Sequence, residues 1–422
     1  MTNLFALVDC NNFYCSVMRV FHPELNNVPV VVLSNNDGSI IARSNEAKAL
    51  GLQMGQPFFE AKSTIDKYNV VYFSSNYTLI GDMSARVHST LARFTPNMEI
   101  YSIDEAFLDL GGFKGIDIPD YARTIRNTVK KWIGIPVSIG VAPTKTLAKL
   151  ANRIAKKSEK ANGVLVLTEA KHLEVALKRT DVGDVWGIGS RYATKLHSFG
   201  INNAWQLANV TDAFAKKHLT VVGLRLVKEL RGEPCTDLEI EPPAKKGICS
   251  SRSFGQPVTS LNDLKEAVAI YASRCAYKLR QQKSACRVVT VFIHTNPFRE
   301  QEPQYYNTKT IYLPVSSSST IELVQYATMA LEHIYRDGFV YKKAGVYITE
   351  IGPADGAQMN IFDRVDRSKH ASLMLTLDQL NRSMGKGTVK VAAEGVSHIW
   401  EPKAEFSPPC YTTRIEDVLK VR

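Results

Sequence analysis

At 422 residues the chain is long enough for two to four domains of ordinary size. A hydrophobic fraction of 45% supplies packed cores and excludes wholesale disorder, and no apolar run approaches the roughly 18 residues that a membrane-spanning helix needs. The excess of 52 Lys and Arg over 41 Asp and Glu, a net charge of +11, points to a polyanionic partner, nucleic acid or a membrane surface, without choosing between them.

The opening MTNLFALVDCNNFY has no basic stretch, and Asp9 interrupts its apolar run, so a secretory leader is not expected. Residues 4–8 read as a short apolar strand, and 28–33 (VPVVVL) as another that ends in the turn-rich SNNDG. A third, 98–103, runs into DEAFLDL and Gly111-Gly112, the pattern of a tight strand pair. A helical stretch over 117–132, a strand over 136–143, an amphipathic helix over 144–157 and a strand over 163–167 follow. Strand, helix, strand, strand, helix, strand is a split βαβ order, which predicts a ferredoxin-like α/β sheet with residues 12–80 inserted as a separate lobe. From 170 to 233 short helical segments broken by glycines predict a small helical domain. Glu233–Gly247, with three prolines and no periodicity, reads as a tether. Residues 248–350 alternate β-rich runs with helices near 261–283 and 319–336, a second α/β domain, and the last seventy residues are expected to be a partly disordered tail. Seven cysteines without a C-x-x-C pair fit neither a zinc site nor a disulfide framework, so reduced thiols in a cytoplasmic protein are expected.

Asp9 follows one apolar strand, and Asp104-Glu105 end another inside SIDEAFLD. Carboxylates at adjacent strand ends make a hard oxygen site suited to Mg²⁺, although acidic residues at strand ends are more often solvated turns. Lys145, Lys149, Arg153, Lys156 and Lys160 recur every three or four residues and share one helical face, either a solvated face or an edge turned to phosphate. Gly187-Ile188-Gly189 fits a nucleotide-binding loop, although no suitable strand precedes it and no acidic partner follows at dinucleotide spacing, or, better, a hairpin between helices whose backbone N–H groups reach phosphates without reading sequence. Between residues 244 and 346 there are twice as many basic as acidic residues, and Arg274, Lys278, Arg280, Lys283 and Arg287 form a run without an acid.

With DCNNFY, NEAKALG, SIDEAFLD, TKTLAKLANRIAKK and DVWGIGSRYATKLHSFGI in this order over about 350 residues, the chain resembles the Y-family, or translesion, DNA polymerases, and within them the UmuC branch. VVVLSNNDG, FSSNY, ELRGEPC, SRSFG and YTTR (411–414) near the end resemble that branch too. The resemblance implies a right-hand α/β multidomain fold: a ferredoxin-like palm (1–12 and 80–168), small fingers (13–79), a helix-hairpin-helix thumb (169–233), a linker (234–247), a DNA-gripping little finger (248–352) and a tail (353–422). It implies that Asp9, Asp104 and Glu105 hold two Mg²⁺ ions with the main-chain carbonyl of Cys10, and that Tyr14, supported by Phe13, is the steric gate against a 2′-hydroxyl. Lys48 and Lys156 match triphosphate contacts. Asn45 stands where a tyrosine is common, which puts its role in doubt, and Lys48 replaces a frequent Arg, giving up a bidentate phosphate contact.

By the same resemblance Gly187, Gly189, Lys145, Lys149, Ser251, Arg252, Arg274, Lys278, Arg280 and Lys283 are candidate DNA contacts. Gln358-Met359-Asn360-Ile361-Phe362 resembles a sliding-clamp ligand. The implied partners are primer-template DNA, dNTP, the clamp, a processed UmuD-type dimer and a RecA-type recombinase filament, and the implied setting is error-prone synthesis past damaged bases in the SOS response, at the nucleoid. A non-catalytic DNA-binding scaffold and another two-metal phosphoryl enzyme remain the alternatives; intact carboxylates count against the first, Tyr14 and the lysines against the second.

Overall fold

The computed structural model describes residues 3–356, 360–363, 365–396, 398 and 400–420. In chain order its elements are β1 (Phe5–Cys10), α1 (Phe13–Phe21), β2 (Val30–Leu33), β3 (Ile40–Arg43), α2 (Asn45–Ala49), α3 (Phe58–Lys67), β4 (Val71–Ser74), α4 (Tyr77–Leu91), β5 (Met98–Ile100), β6 (Glu105–Asp109), α5 (Ile118–Ile133), β7 (Val137–Ala142), α6 (Lys145–Lys157) and β8 (Val164–Val166). There follow α7 (Ala170–Arg179), α8 (Ser190–Ser198), α9 (Ala204–Ala208), α10 (Asp212–Leu230), β9 (Ile248–Val258), α11 (Leu261–Gln281), β10 (Ser284–Thr295), β11 (Tyr306–Ser317), α12 (Thr320–Ile334), β12 (Tyr341–Pro353) and α13 (Arg367–Ser383). They form two compact units, 1–242 with 405–422, and 243–404. The division falls inside the proline-rich stretch read as a tether.

In the first unit the strand order is β5-β6-β1-β7-β8, with β1 antiparallel to both neighbours and β7 parallel to β8. All six residues of β1 and of β7 are buried because helices cover both faces, so both strands are apolar except at one end, where Asp9 and Ser138 are register partners. Helix α6 lies unusually close to this sheet. A Cβ on Gly140 would stand 2.0 Å from the Asn152 nitrogen, so only glycine admits the helix there. Asn152 then bolts the contact, its Nδ2 donating to the Ser138 carbonyl at 2.7 Å and the Leu7 carbonyl at 3.2 Å. Thr144 caps the helix by accepting from the Leu147 N–H.

Between α1 and α4 a smaller sheet, ordered β3-β2-β4, builds its own core from Val31, Leu33, Ile40, Ala47, Leu52, Ala61, Ile65 and Val70. The opposite-facing Val30 and Val32 join the main core, so alternation along β2 splits one strand between two cores. Helices α7 to α10 pack through Leu177, Leu196, Leu207, Leu219 and Val227 onto Leu147, Leu150 and Phe107. Helix α10 is kinked at Thr220, which has φ 68°.

The second unit is an antiparallel sheet, β11-β10-β12-β9, with α11 and α12 packed around Phe254, Tyr271, Val289, Leu323 and Tyr341. The C-terminal seventy residues differ from the expected loose tail. Helix α13 is fixed to the second unit by the buried pair of Arg280 with Asp378 and by Arg367 with Glu322, and Trp400 is 3% exposed in that unit's core. The chain then returns to the first unit. The Ser74 N–H donates to the Phe406 carbonyl at 3.0 Å at the edge of β4, and Tyr411 stacks on Phe21 at 4.6 Å while bonding His22 at 2.8 Å. Isolated apolar residues in a polar segment gave no period from which this docking could be read.

Candidate active site

Strand pairing assembles the acidic centre. Asp9 and Glu105 are direct register partners across β1 and β6, so their side chains leave the sheet on the same face. The Cys10 N–H donates to the Asp104 carbonyl at 2.9 Å, which ties the end of β1 to the turn before β6. The Asp104 carboxylate accepts from Ser102 Oγ at 2.7 Å, and among the described residues no three His, Cys, Asp or Glu side chains are gathered closely enough to hold a metal. Two carboxylates therefore meet, and the third is one residue away and held back by its own turn.

Both meeting carboxylates are paired from α6. Lys156 Nζ stands 2.5 Å from Asp9, and Lys149 Nζ donates to both Glu105 oxygens at 2.8 and 2.9 Å. Burial pushes the Asp9 carboxyl up to about 7; Lys156 works against this and Glu105 adds to it. Burial opposes ionisation of Glu105 too, but the bond with Asp9 and the Lys149 ammonium more than offset it and leave that carboxyl below its usual range. Burial and the surrounding carboxylates hold the Cys10 thiol well above its ordinary value, so this residue offers no thiolate. The possible donors are hard oxygens, three carboxylates and a main-chain carbonyl, and that set fits Mg²⁺. A cavity of about 200 Å³ opens beside them, lined by Asp9, Glu105, Lys149, Arg153, Lys156 and Trp186.

Tyr14 lies in the first turn of α1, edge-on to Phe13 and to Tyr77 with ring centroids 6.1 and 6.5 Å away. Asn12, left-handed at φ 49°, precedes that helix without capping it through its side chain and instead joins it to α2: its side chain bonds Asn45 at 3.0 Å and Lys48 Nζ at 2.5 Å. Lys48 is pushed below its ordinary value by burial and then by the charges of Arg43 and Lys156. Positive groups crowded around Lys48 in this way suit an anion. Asn12 and Tyr77 are missed by the sequence reading, although Asn12 sits inside DCNNFY; a side chain in the middle of a motif says nothing of the bond it makes 33 residues away.

The basic face of α6 is not a free edge. Lys145 corrects its reading as a DNA contact: it is 3% exposed, 2.6 Å from the buried Glu99 and over the Phe107 ring. Arg153 pairs with Asp184. Gly187, with φ 88°, forms the turn before α8, and a Cβ there would press on Leu226. Gly189 is the N-cap of α8.

In the second unit Arg280 is likewise corrected, since both its terminal nitrogens are engaged, one by Asp378 and one by the Ser318 carbonyl, and its side chain is 10% exposed. Arg252, Lys278 and Lys283 are exposed, while Ser251 and Arg274 are half-buried. Burial and the nearby Arg252 lower Arg274 below its usual value. Ile361 and Phe362 are exposed to 91% and 81%, and Asn360 Oδ1 accepts from the Phe362 N–H. Gln358 and Met359 lie outside the described residues.

Comparison with known proteins matches residues 8–153 to the impB/mucB/samB family and 245–361 to that family's C-terminal domain, with a domain family of unknown function over 371–421. The chain is 45% identical to Protein UmuC of Salmonella typhimurium over 99% of this chain and 100% of that one. It is 44% identical to Protein ImpB of Salmonella typhimurium over 98% and 99%. It is 26% identical to DNA polymerase IV of Caulobacter vibrioides over 91% and 92%. Its fold resembles that of a Y-family DNA polymerase chimera of Dbh and Dpo4, with a TM-score of 0.66 and 21% identity over 83% of this chain and 99% of that one.

Proposed function

Because the chain belongs to the impB/mucB/samB family and is a Y-family DNA-directed DNA polymerase, we propose that it extends primers past damaged bases by two-metal nucleotidyl transfer, as an error-prone polymerase of the SOS response. The observation that carries this reading is the register pairing of Asp9 with Glu105, in the same compact unit as Tyr14, Lys48 and Lys156. In this reading the palm is 1–12 with 80–168, the fingers 13–79, the thumb 169–233 and the little finger 248–352, joined by a linker over 234–247 and followed by a tail.

Asp9, Asp104 and Glu105 would hold two Mg²⁺ ions with the Cys10 carbonyl, Asp104 by turning from Ser102. Such ions, when bound, supply charge neutralisation at the attacking and leaving oxygens. The chain's own residues do the rest. Lys48 and Lys156 bind the dNTP triphosphate, and Lys156 exchanges Asp9 for phosphate as it does so. Asn12 and Asn45 steady Lys48 through the bonds described above. Tyr14, backed by Phe13, lies under the sugar and excludes a 2′-hydroxyl. The primer 3′-hydroxyl attacks the α-phosphate, the P–O bond to the β-phosphate breaks, and pyrophosphate leaves.

Duplex DNA is held without reading sequence by backbone N–H groups at Gly187 and Gly189 and by Arg252, Arg274, Lys278 and Lys283, with Ser251 beside them. Gln358–Phe362 docks on the sliding clamp through the exposed Ile361 and Phe362. A processed UmuD-type dimer and a RecA-type filament are the further partners, and the nucleoid is the site of action. The test is primer extension across an abasic site with Mg²⁺ and dNTPs, comparing wild type with Asp104→Ala, each with and without those partners. Extension by wild type alone or with partners, lost in the variant, supports the reading. Equal extension by the variant removes the assigned centre.

A further inference from the structure

Lys149 holds more than Glu105. Its Nζ is 2.8 Å from that carboxylate and also lies 4.6 Å from the centre of the Tyr101 ring and 5.6 Å from that of Trp186. The two rings are themselves joined, Trp186 Nε1 donating to the Tyr101 hydroxyl at 3.2 Å with the planes at 86°. Trp186 is the residue immediately before the Gly187–Gly189 turn, and Asp184, two residues earlier, is paired with Arg153 one turn further along α6. One ammonium thus touches a carboxylate of the acidic centre and the root of the DNA-facing turn.

We propose that Lys149 is a positioning residue that couples cation binding at the carboxylates to the grip of the Gly187–Gly189 turn on duplex DNA. A cation entering beside Glu105 competes with Lys149 for the same oxygens. The ammonium shifts toward the aromatic pair, and the strengthened cation–π contact fixes Trp186 and with it the turn. Linkage requires the effect to be mutual: DNA that orders the turn draws Lys149 from Glu105 and raises cation affinity. The proposal rests on the assignment of Glu105 as a metal ligand and of the turn as a DNA contact.

The experiment uses the full chain and has two readouts. Indole emission is followed during titration with Mg²⁺ alone, with Trp186→Phe subtracted to isolate one ring, and the Kd for primer-template is measured by anisotropy with and without Mg²⁺ at constant ionic strength. Both are repeated in Lys149→Met, which keeps the aliphatic stem, and Lys149→Arg, which keeps the charge. In wild type Mg²⁺ alters the Trp186 emission and tightens DNA binding by about fivefold or more; Lys149→Met abolishes both responses and Lys149→Arg retains them. A Trp186 signal indifferent to Mg²⁺, or a Mg²⁺ dependence of Kd that survives in Lys149→Met, overturns the coupling. Circular dichroism and a thermal melt matching wild type show that Lys149→Met is folded. Failure of wild type to bind duplex at all would instead remove the DNA-contact reading on which the coupling stands.

Discussion

Asp9 and Glu105 face one another across β1 and β6, and each is held by a lysine of the same helix, Lys156 and Lys149, two turns apart on α6. A sheet supplies the acids and a helix the bases, and Gly140 and Asn152 set the distance between the two elements. Replacing Asp9 by Asn or Glu105 by Gln keeps the shape and removes one charge. Primer extension is expected to fall by about a hundredfold or more, the loss of several kcal/mol of charge stabilisation, with DNA affinity little changed. Single-turnover kinetics and a binding isotherm on the same preparation separate the two.

Tyr14 is held edge-on by Phe13 and Tyr77, so the ring has little freedom to swing aside. Tyr14→Ala should relax the preference for dNTP over rNTP by about 10- to 200-fold, the range that a steric pocket commands. Competitive incorporation of the paired nucleotides measures it. Unchanged discrimination would place the gate elsewhere.

Lys145 and Glu99 form a buried ion pair that also accepts the Glu239 N–H at 2.8 Å. Leaving Glu99 without its partner by Lys145→Met should destabilise the chain by about 3 to 5 kcal/mol, while the double change Lys145→Met, Glu99→Leu should recover much of that loss. Urea unfolding of the three proteins decides it. A DNA contact at Lys145 would instead weaken binding and leave the unfolding midpoint in place.

His88, on α4, bonds Ser84 and is buried; burial lowers its imidazole below the ordinary 6.5, with the Asp104 charge acting the other way. Between 6.5 and the lower folded value the unfolded chain binds the proton that the folded chain does not. Stability contributed by this group is therefore present above about pH 6.5 and falls as the pH drops through that window. His88→Phe should flatten the fall between pH 7 and 5 in urea midpoints, whatever its effect on stability at pH 7. An undiminished slope would assign the titration to another group.

The strands of the main sheet, α6 and the nearness of Asp9 to Glu105 were legible because local patterns encode them: short apolar runs, an amphipathic period, and motifs whose residues lie on neighbouring strands. What was not legible is the partner of each charge. The periodicity that puts Lys145, Lys149, Arg153 and Lys156 on one face is real, yet four acids from distant elements, Glu99, Glu105, Asp184 and Asp9, meet that face. Arg280 shows the same effect, since Asp378 reaches it from 98 residues away on a helix that the sequence pattern concealed. Asn12 and Trp186 lie within recognised motifs, but their bonds to Asn45 and Tyr101 exist only once the chain has folded.

The return of residues 405–417 to the first unit has a consequence for how the protein is made. The strap that covers the edge of β4 and stacks Tyr411 on Phe21 is separated from them by the whole of the second unit. Ser74 and Phe406 are 332 residues apart, so on the ribosome, at about 5 to 20 residues per second, that edge stays uncovered for roughly 15 to 70 seconds. A strand edge left open in a nascent chain is an invitation to pair with another polypeptide. Translation that stalls or terminates after the second unit would release a product that keeps Asp9, Glu105 and the lysines of α6 but lacks its own final strap, and a tendency to aggregate would be its distinguishing defect.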